Sequence, residues 1–130
     1  MDTRIGAVKT AIEALGKTAR IVVWYSLGIN DRIAGTNEST WRTDVESHFA
    51  NIRATYGSTI PIIMTKFMTL KVDNSANPNA DFNDTIDAID AADSNTYSIS
   101  GVTSLVDDNH WDAAGMKVLA DRFITTMLGL

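Results

Sequence analysis

Cysteine is absent from this chain, and with it every disulfide, thiolate nucleophile and cysteine-built zinc site. Positive charge is sparse. Eleven Lys and Arg stand against sixteen Asp and Glu, a net charge of −5, and the basic residues are scattered. Phosphate backbones are bound by concentrated Lys and Arg, so no nucleic-acid partner is expected. No apolar run approaches the ~20 residues that span a bilayer, so no membrane partner is expected either. The opening Met1-Asp2-Thr3-Arg4 has no apolar core of a signal peptide. Neither a Gly-x-Gly-x-x-Gly pattern nor a P-loop occurs, which removes the usual nucleotide cofactors. What remains, 45% apolar and 21% charged residues over 130 positions, reads as a soluble globular chain forming a single domain, 1–130.

The elements alternate. Ile5, Val8, Ile12 and Leu15 recur at helical spacing, with Asp2 or Thr3 as cap and Gly16 as stop. Arg20 to Leu27 is a β-branched and aromatic run that suits a strand buried on both faces. A polar loop from Asp31 to Ser39 follows. Trp41, Val45, Phe49, Ile52 and Tyr56 mark a second helix ending near Gly57. Ile60 to Phe67 is a second strand, with Pro61 near its start, where a missing N–H is tolerated. Thr69 to Ala80 has turn-forming composition. Phe82, Ile86 and Ile89 suggest a short third helix, Tyr97 to Val102 a third strand, and Met116, Leu119, Phe123, Ile124 and Met127 a final helix. Strands alternating with helices predict an α/β fold: a small parallel sheet of three strands in a three-layer αβα arrangement. Ligand chemistry in such sheets gathers beyond the carboxyl ends of the strands. Two polar segments fall there, Gly28-Ile29-Asn30-Asp31 after the first strand and Asp107-Asp108-Asn109-His110 after the third.

An Asp and a His held close are the orienting and proton-moving parts of a hydrolytic site. Gly28-Ile29-Asn30-Asp31 resembles the Gly-x-Asn-Asp block, and Asp107 to His110 the terminal Asp-x-x-His block, of the SGNH or GDSL-like hydrolase superfamily. The run His110-Trp111-Asp112-Ala113-Ala114-Gly115 is similar to that of its carbohydrate acetylesterases, including sialate O-acetylesterase-like proteins, and the Trp24-Tyr25 pair agrees. The resemblance covers most of the chain from about Arg20 onward. It implies a flavodoxin-like topology and a serine-dependent ester hydrolysis that uses no cofactor. It also implies roles: His110 as general base, Asp107 as its orienting partner, Asn30 as oxyanion donor and Gly28 as the tight turn beside it. Trp111, next to His110, is read as packing, with a sugar-stacking wall as the alternative. The implied substrate is an acetylated carbohydrate or another small ester.

One part of that apparatus is missing. The Gly-Asp-Ser block that carries the family's nucleophile does not occur, nor does the further oxyanion glycine block. The chain therefore corresponds to the C-terminal part of the family fold without its N-terminal strands. Ser26, Ser39, Ser98 and Ser104 lack a nucleophile-elbow context. Three explanations stand side by side: a portion of a longer hydrolase, a module completed by an N-terminal segment of another chain or by a homo-oligomer, and a domain that has lost catalysis. The last would make it a carbohydrate-binding or oligomerising module, such as the terminal piece of a phage tail or adhesin protein. Plainer readings exist for single residues. Asn30 and Asp31 suit a turn, Asp108 a helix start, His48 a solvent-facing position and Trp41 a packing position. Asp73-x-Ser75-x-Asn77 loosely resembles a calcium loop, but Pro78 replaces the needed Gly and no Glu closes it, so no metal site is expected.

Overall fold

A computed structural model describes residues 3–67, 79–107 and 110–130. Most of the loop expected over 69–80, including Asp73, Ser75, Asn77 and Pro78, lies outside the described residues, as do Asp2, Asp108 and Asn109. The elements run α1 (Thr3–Ala14), β1 (Val23–Tyr25), α2 (Ile29–Ile33), α3 (Glu38–Tyr56), β2 (Ile62–Thr65), α4 (Asn79–Ala92), β3 (Thr96–Ile99) and α5 (Ala113–Leu128). The three strands form one parallel sheet in the order β1-β2-β3, with Val23 beside Ile62 and Ile62 beside Thr96. The α/β class is therefore as expected.

The sheet carries helices on both faces, and alternation along the strands assigns them. Ile62 and Met64 of β2 turn toward α3 and α4, where Trp41, Val45, Phe49, Phe82, Ile86 and Ile89 complete the main core. Val23 and Tyr25 of β1 pack against the same cluster. Trp24 points the other way, stacking on Phe123 of α5 with ring centroids 5.0 Å apart, while its Nε1 donates to Thr65 Oγ1 at 2.7 Å. Asn37 caps α3 by accepting from Ser39 N at 2.9 Å, and Gly57 ends it. Arg53, on the last turn of α3, forms an ion pair with Asp93. It also donates to Asn95 O at 3.0 Å and Thr96 Oγ1 at 3.1 Å. One guanidinium thus ties α3 to the turn that launches β3.

Several expectations need correction. Arg20 to Leu27 does not make a strand buried on both faces: only Val23–Tyr25 pairs, and all three residues are half-buried. The reason is position, because among the described residues β1 is an edge strand with β2 on one side only. The other strands are also shorter than their apolar runs, and β3 begins one residue earlier than expected. The loop expected from Asp31 holds part of α2, so Asn30 and Asp31 are helical rather than turn residues. The third helix is not short: α4 has 14 residues and takes in Asn79 and Ala80. The first helix exists, but its apolar stripe is not covered, since Ile5, Val8 and Leu15 are exposed. The stripe on α5 is narrower than its spacing suggests, with Leu119 buried and Met116 and Ile124 exposed.

Candidate functional site

After β3 the chain leaves the sheet and folds back on itself before α5. Leu105 and Trp111 form an antiparallel bridge, Val106 N donates to His110 O at 2.9 Å, and Asp112 N donates to Ser104 O at 3.1 Å. Asp112 then caps α5, accepting from Gly115 N at 2.7 Å and from the Ser104 hydroxyl at 2.7 Å. Those hydrogen bonds, Gly115 N–H first, hold its carboxyl below the usual range against a small opposing effect of burial. Glycine at 115 is a steric requirement, because a Cβ there would lie 2.5 Å from Ser104 O. The hairpin is in this way anchored at its base by a capped helix end.

At its tip stand Asp107 and His110. The imidazole Nδ1 lies 2.9 Å from both Asp107 carboxylate oxygens, and His110 N also donates to Asp107 Oδ1 at 2.9 Å. With Nδ1 on the carboxylate, the proton there is fixed and Nε2 is the nitrogen left to accept another. Both side chains are exposed, His110 at 73%. The arrangement can orient an imidazole and shuttle a proton. Among the described residues no serine hydroxyl hydrogen-bonds to it, and Ser104, the nearest in sequence, is turned to Asp112.

The second block begins where β1 ends. Gly28 is buried, has φ +122°, and lies so close to the Trp41 indole that a Cβ would come within 2.7 Å of its Nε1. Both backbone conformation and space thus demand glycine. The chain turns there into α2, which carries Asn30 exposed on its first turn. Among the described residues, nothing hydrogen-bonds the Asn30 side-chain amide. Because all three strands are parallel, the connections that carry Asn30 and His110 leave the sheet at the same, carboxyl end. They follow its two outer strands, with β2 between, so the strands they extend are roughly 10 Å apart. Trp111 is half-buried with its Nε1 buried, which favours the packing reading over a sugar-stacking wall.

A cleft of about 240 Å³ with mixed polar and apolar walls opens beside α2 and was not apparent from sequence. Tyr25, Asp31, Trp41, Asp44 and His48 line it; neither Asn30 nor His110 does. Burial raises the Tyr25 phenol above its ordinary value, helped by the negative charges of Asp31 and Asp44. His48 is exposed, as expected, yet its ring lies 5.9 Å from that of Tyr25. The available signal was spacing: Asp44 and His48, one turn apart, flank the apolar row of Trp41, Val45 and Phe49. No group of three or more metal-ligating side chains occurs among the described residues, and none of their helices is long and apolar enough to cross a membrane. No protein-family model, curated protein or solved structure matches the chain.

Proposed function

We propose that this chain is the C-terminal part of an SGNH-type ester hydrolase, with the flavodoxin-like topology of that family lacking its N-terminal strands. Its substrate would be an acetylated carbohydrate or another small ester. The observation that carries the reading is the Asp107 carboxylate holding His110 Nδ1 at 2.9 Å, on the connection that follows the last strand of a parallel sheet. In the reaction, His110 Nε2 takes the proton of a serine supplied from outside this chain. The serine oxygen bonds to the acyl carbon, and the Asn30 amide donates to the resulting oxyanion. His110 returns the proton to the leaving alcohol, and water repeats the sequence to free the acid and the serine. Asp107 stabilises the imidazolium without taking its proton.

The isolated chain should show little or no turnover of an aryl acetate. Adding an N-terminal segment that carries Gly-Asp-Ser should restore it. In that assembly His110→Ala abolishes turnover, and Asn30→Ala lowers kcat about 10²-fold or more. Robust hydrolysis by the isolated chain with every serine replaced would exclude the serine mechanism. A second reading, a non-catalytic carbohydrate-binding module, is favoured by the engagement of the Ser104 hydroxyl with Asp112. It predicts retention of acetylated oligosaccharides that His110→Ala leaves unchanged.

A further inference from the structure

The cleft beside α2 plays no part in the hydrolytic reading. Its polar groups come from three elements: Tyr25 of β1, Asp31 of α2, and Trp41, Asp44 and His48 of α3, with Leu27 and Val45 as apolar walls. None of these five side chains forms a hydrogen bond or ion pair with another described residue. For Trp41 this is unusual, because it is only 3% exposed, and a buried N–H is ordinarily paired. Its indole packs on Phe67 and Phe82 toward the core. The Nε1 edge faces Gly28, where a Cβ would come within 2.7 Å. Leu27, next to Gly28 in the chain, and Asp31, one turn on, both line the cleft. The Nε1–H is therefore on the cleft side of the ring.

We propose that this cleft binds a small protonated amine that also carries a hydroxyl oxygen and an apolar group. Four features select that ligand. Two carboxylates, Asp31 and Asp44, line the cleft with no Lys or Arg among its walls. The Tyr25 phenol, raised first by burial, is raised further by their charges, so their field reaches into the cleft. A metal ion needs several ligands closing on one point, and no group of three or more metal-ligating side chains occurs among the described residues. An ammonium needs no such convergence and suits aromatic walls. The Trp41 Nε1–H is a donor only, so it calls for an oxygen on the same molecule. Leu27 and Val45 take the apolar part, and a volume of about 240 Å³, below the ~300–1,000 Å³ of drug-sized sites, keeps the ligand small. This cleft is independent of whether His110 is catalytic.

The test uses the full chain, 15N-labelled, and three probes. The first is 2-amino-1-phenylethanol. The second is 1-phenylethane-1,2-diol, in which a hydroxyl replaces the ammonium. The third is 2-phenylethylamine, which lacks the hydroxyl. The amino alcohol should shift the Trp41 indole N–H and the backbone amides of Asp31 and Asp44. The diol should bind about fivefold more weakly or worse, as expected when an ammonium near two exposed carboxylates is lost. The hydroxyl-free amine should also bind more weakly than the amino alcohol and leave the Trp41 indole signal in place. Asp44→Asn should remove most of the preference for the amino alcohol over the diol; the position is exposed, so the fold should survive. Absence of binding by the amino alcohol, equal binding of the diol, or shifts confined to residues outside the cleft would overturn the proposal. So would equal binding of the hydroxyl-free amine, which would leave the Trp41 donor without a role. Should the variant fail to fold, the three probes on the unaltered chain still decide.

Discussion

At the scale of single residues, two positions show how a side chain, or its absence, governs a joint between elements. Asp93 is partly buried, which by itself would raise its pKa. Hydrogen bonds from Asn95 N, Thr96 Oγ1 and Arg53 outweigh burial and lower it. A carboxyl whose pKa is lower in the folded state stabilises above its unfolded value of about 3.9, and that contribution fades as pH falls through the folded value. Asp93→Asn should therefore cost about 1–3 kcal/mol in urea unfolding at neutral pH, and the two proteins should converge in acid. A constant difference across that range would show that the ionised form contributes nothing. Gly28 acts through absence. Gly28→Ala puts a Cβ into the Trp41 indole at a φ of +122°, and should lower stability by about 1–3 kcal/mol in the same measurement. The turn that presents Asn30 and the packing of the main core are thus fixed by one position.

Among the elements, burial separates strong from weak. Helix α4 places Phe82, Ile86 and Ile89 in the core beside β2, and all three are fully or almost fully buried. Phe82 meets Trp41 at 4.7 Å and Phe67 at 5.8 Å between ring centroids, so three aromatics from three chain segments converge there. Phe82→Ala should cost about 3–5 kcal/mol, read from the denaturation midpoint at unchanged slope. Helix α1 is the opposite case. Its large apolar residues are exposed or half-buried, and it packs extensively against no other described element. Amide exchange followed by mass spectrometry should find α1 exchanging first and β2, α3 and α4 last. Equal protection of α1 in the chain alone would mean that something covers its apolar stripe.

For the whole molecule, the uneven sheet is the governing fact. Among the described residues, β2 is buried on both faces and paired on both edges, whereas β1 and β3 are each paired on one side only. Parallel sheets are ordinarily covered throughout, and a three-stranded one leaves a large share of its backbone groups at edges. Among the described residues no strand pairs with the outer side of β1, and the apolar stripe of α1 and the Asp107–His110 pair are exposed. On the reading proposed above, the Asp107–His110 pair would act only with a nucleophile brought to it.

Sequence by itself determined much of this. Alternation of β-branched runs with helical spacing specified a parallel α/β sheet, because strand and helix periods differ and right-handed crossovers leave few other arrangements. It also singled out Asp107 and His110, whose pairing is local: three residues in a turn put imidazole and carboxylate within reach whatever lies around them. Tertiary structure decided the rest. Whether VVWY became a central or an edge strand depended on neighbours that no window of sequence contains. The same holds for the exposure of α1, since a stripe of Ile and Val records a capacity for burial and not its partner. The cleft of Tyr25, Asp44 and His48, and the clash that fixes Gly28 against Trp41, arise between segments remote in the chain. Local chemistry is written in order and spacing, but cover and convergence belong to the packing of the sheet.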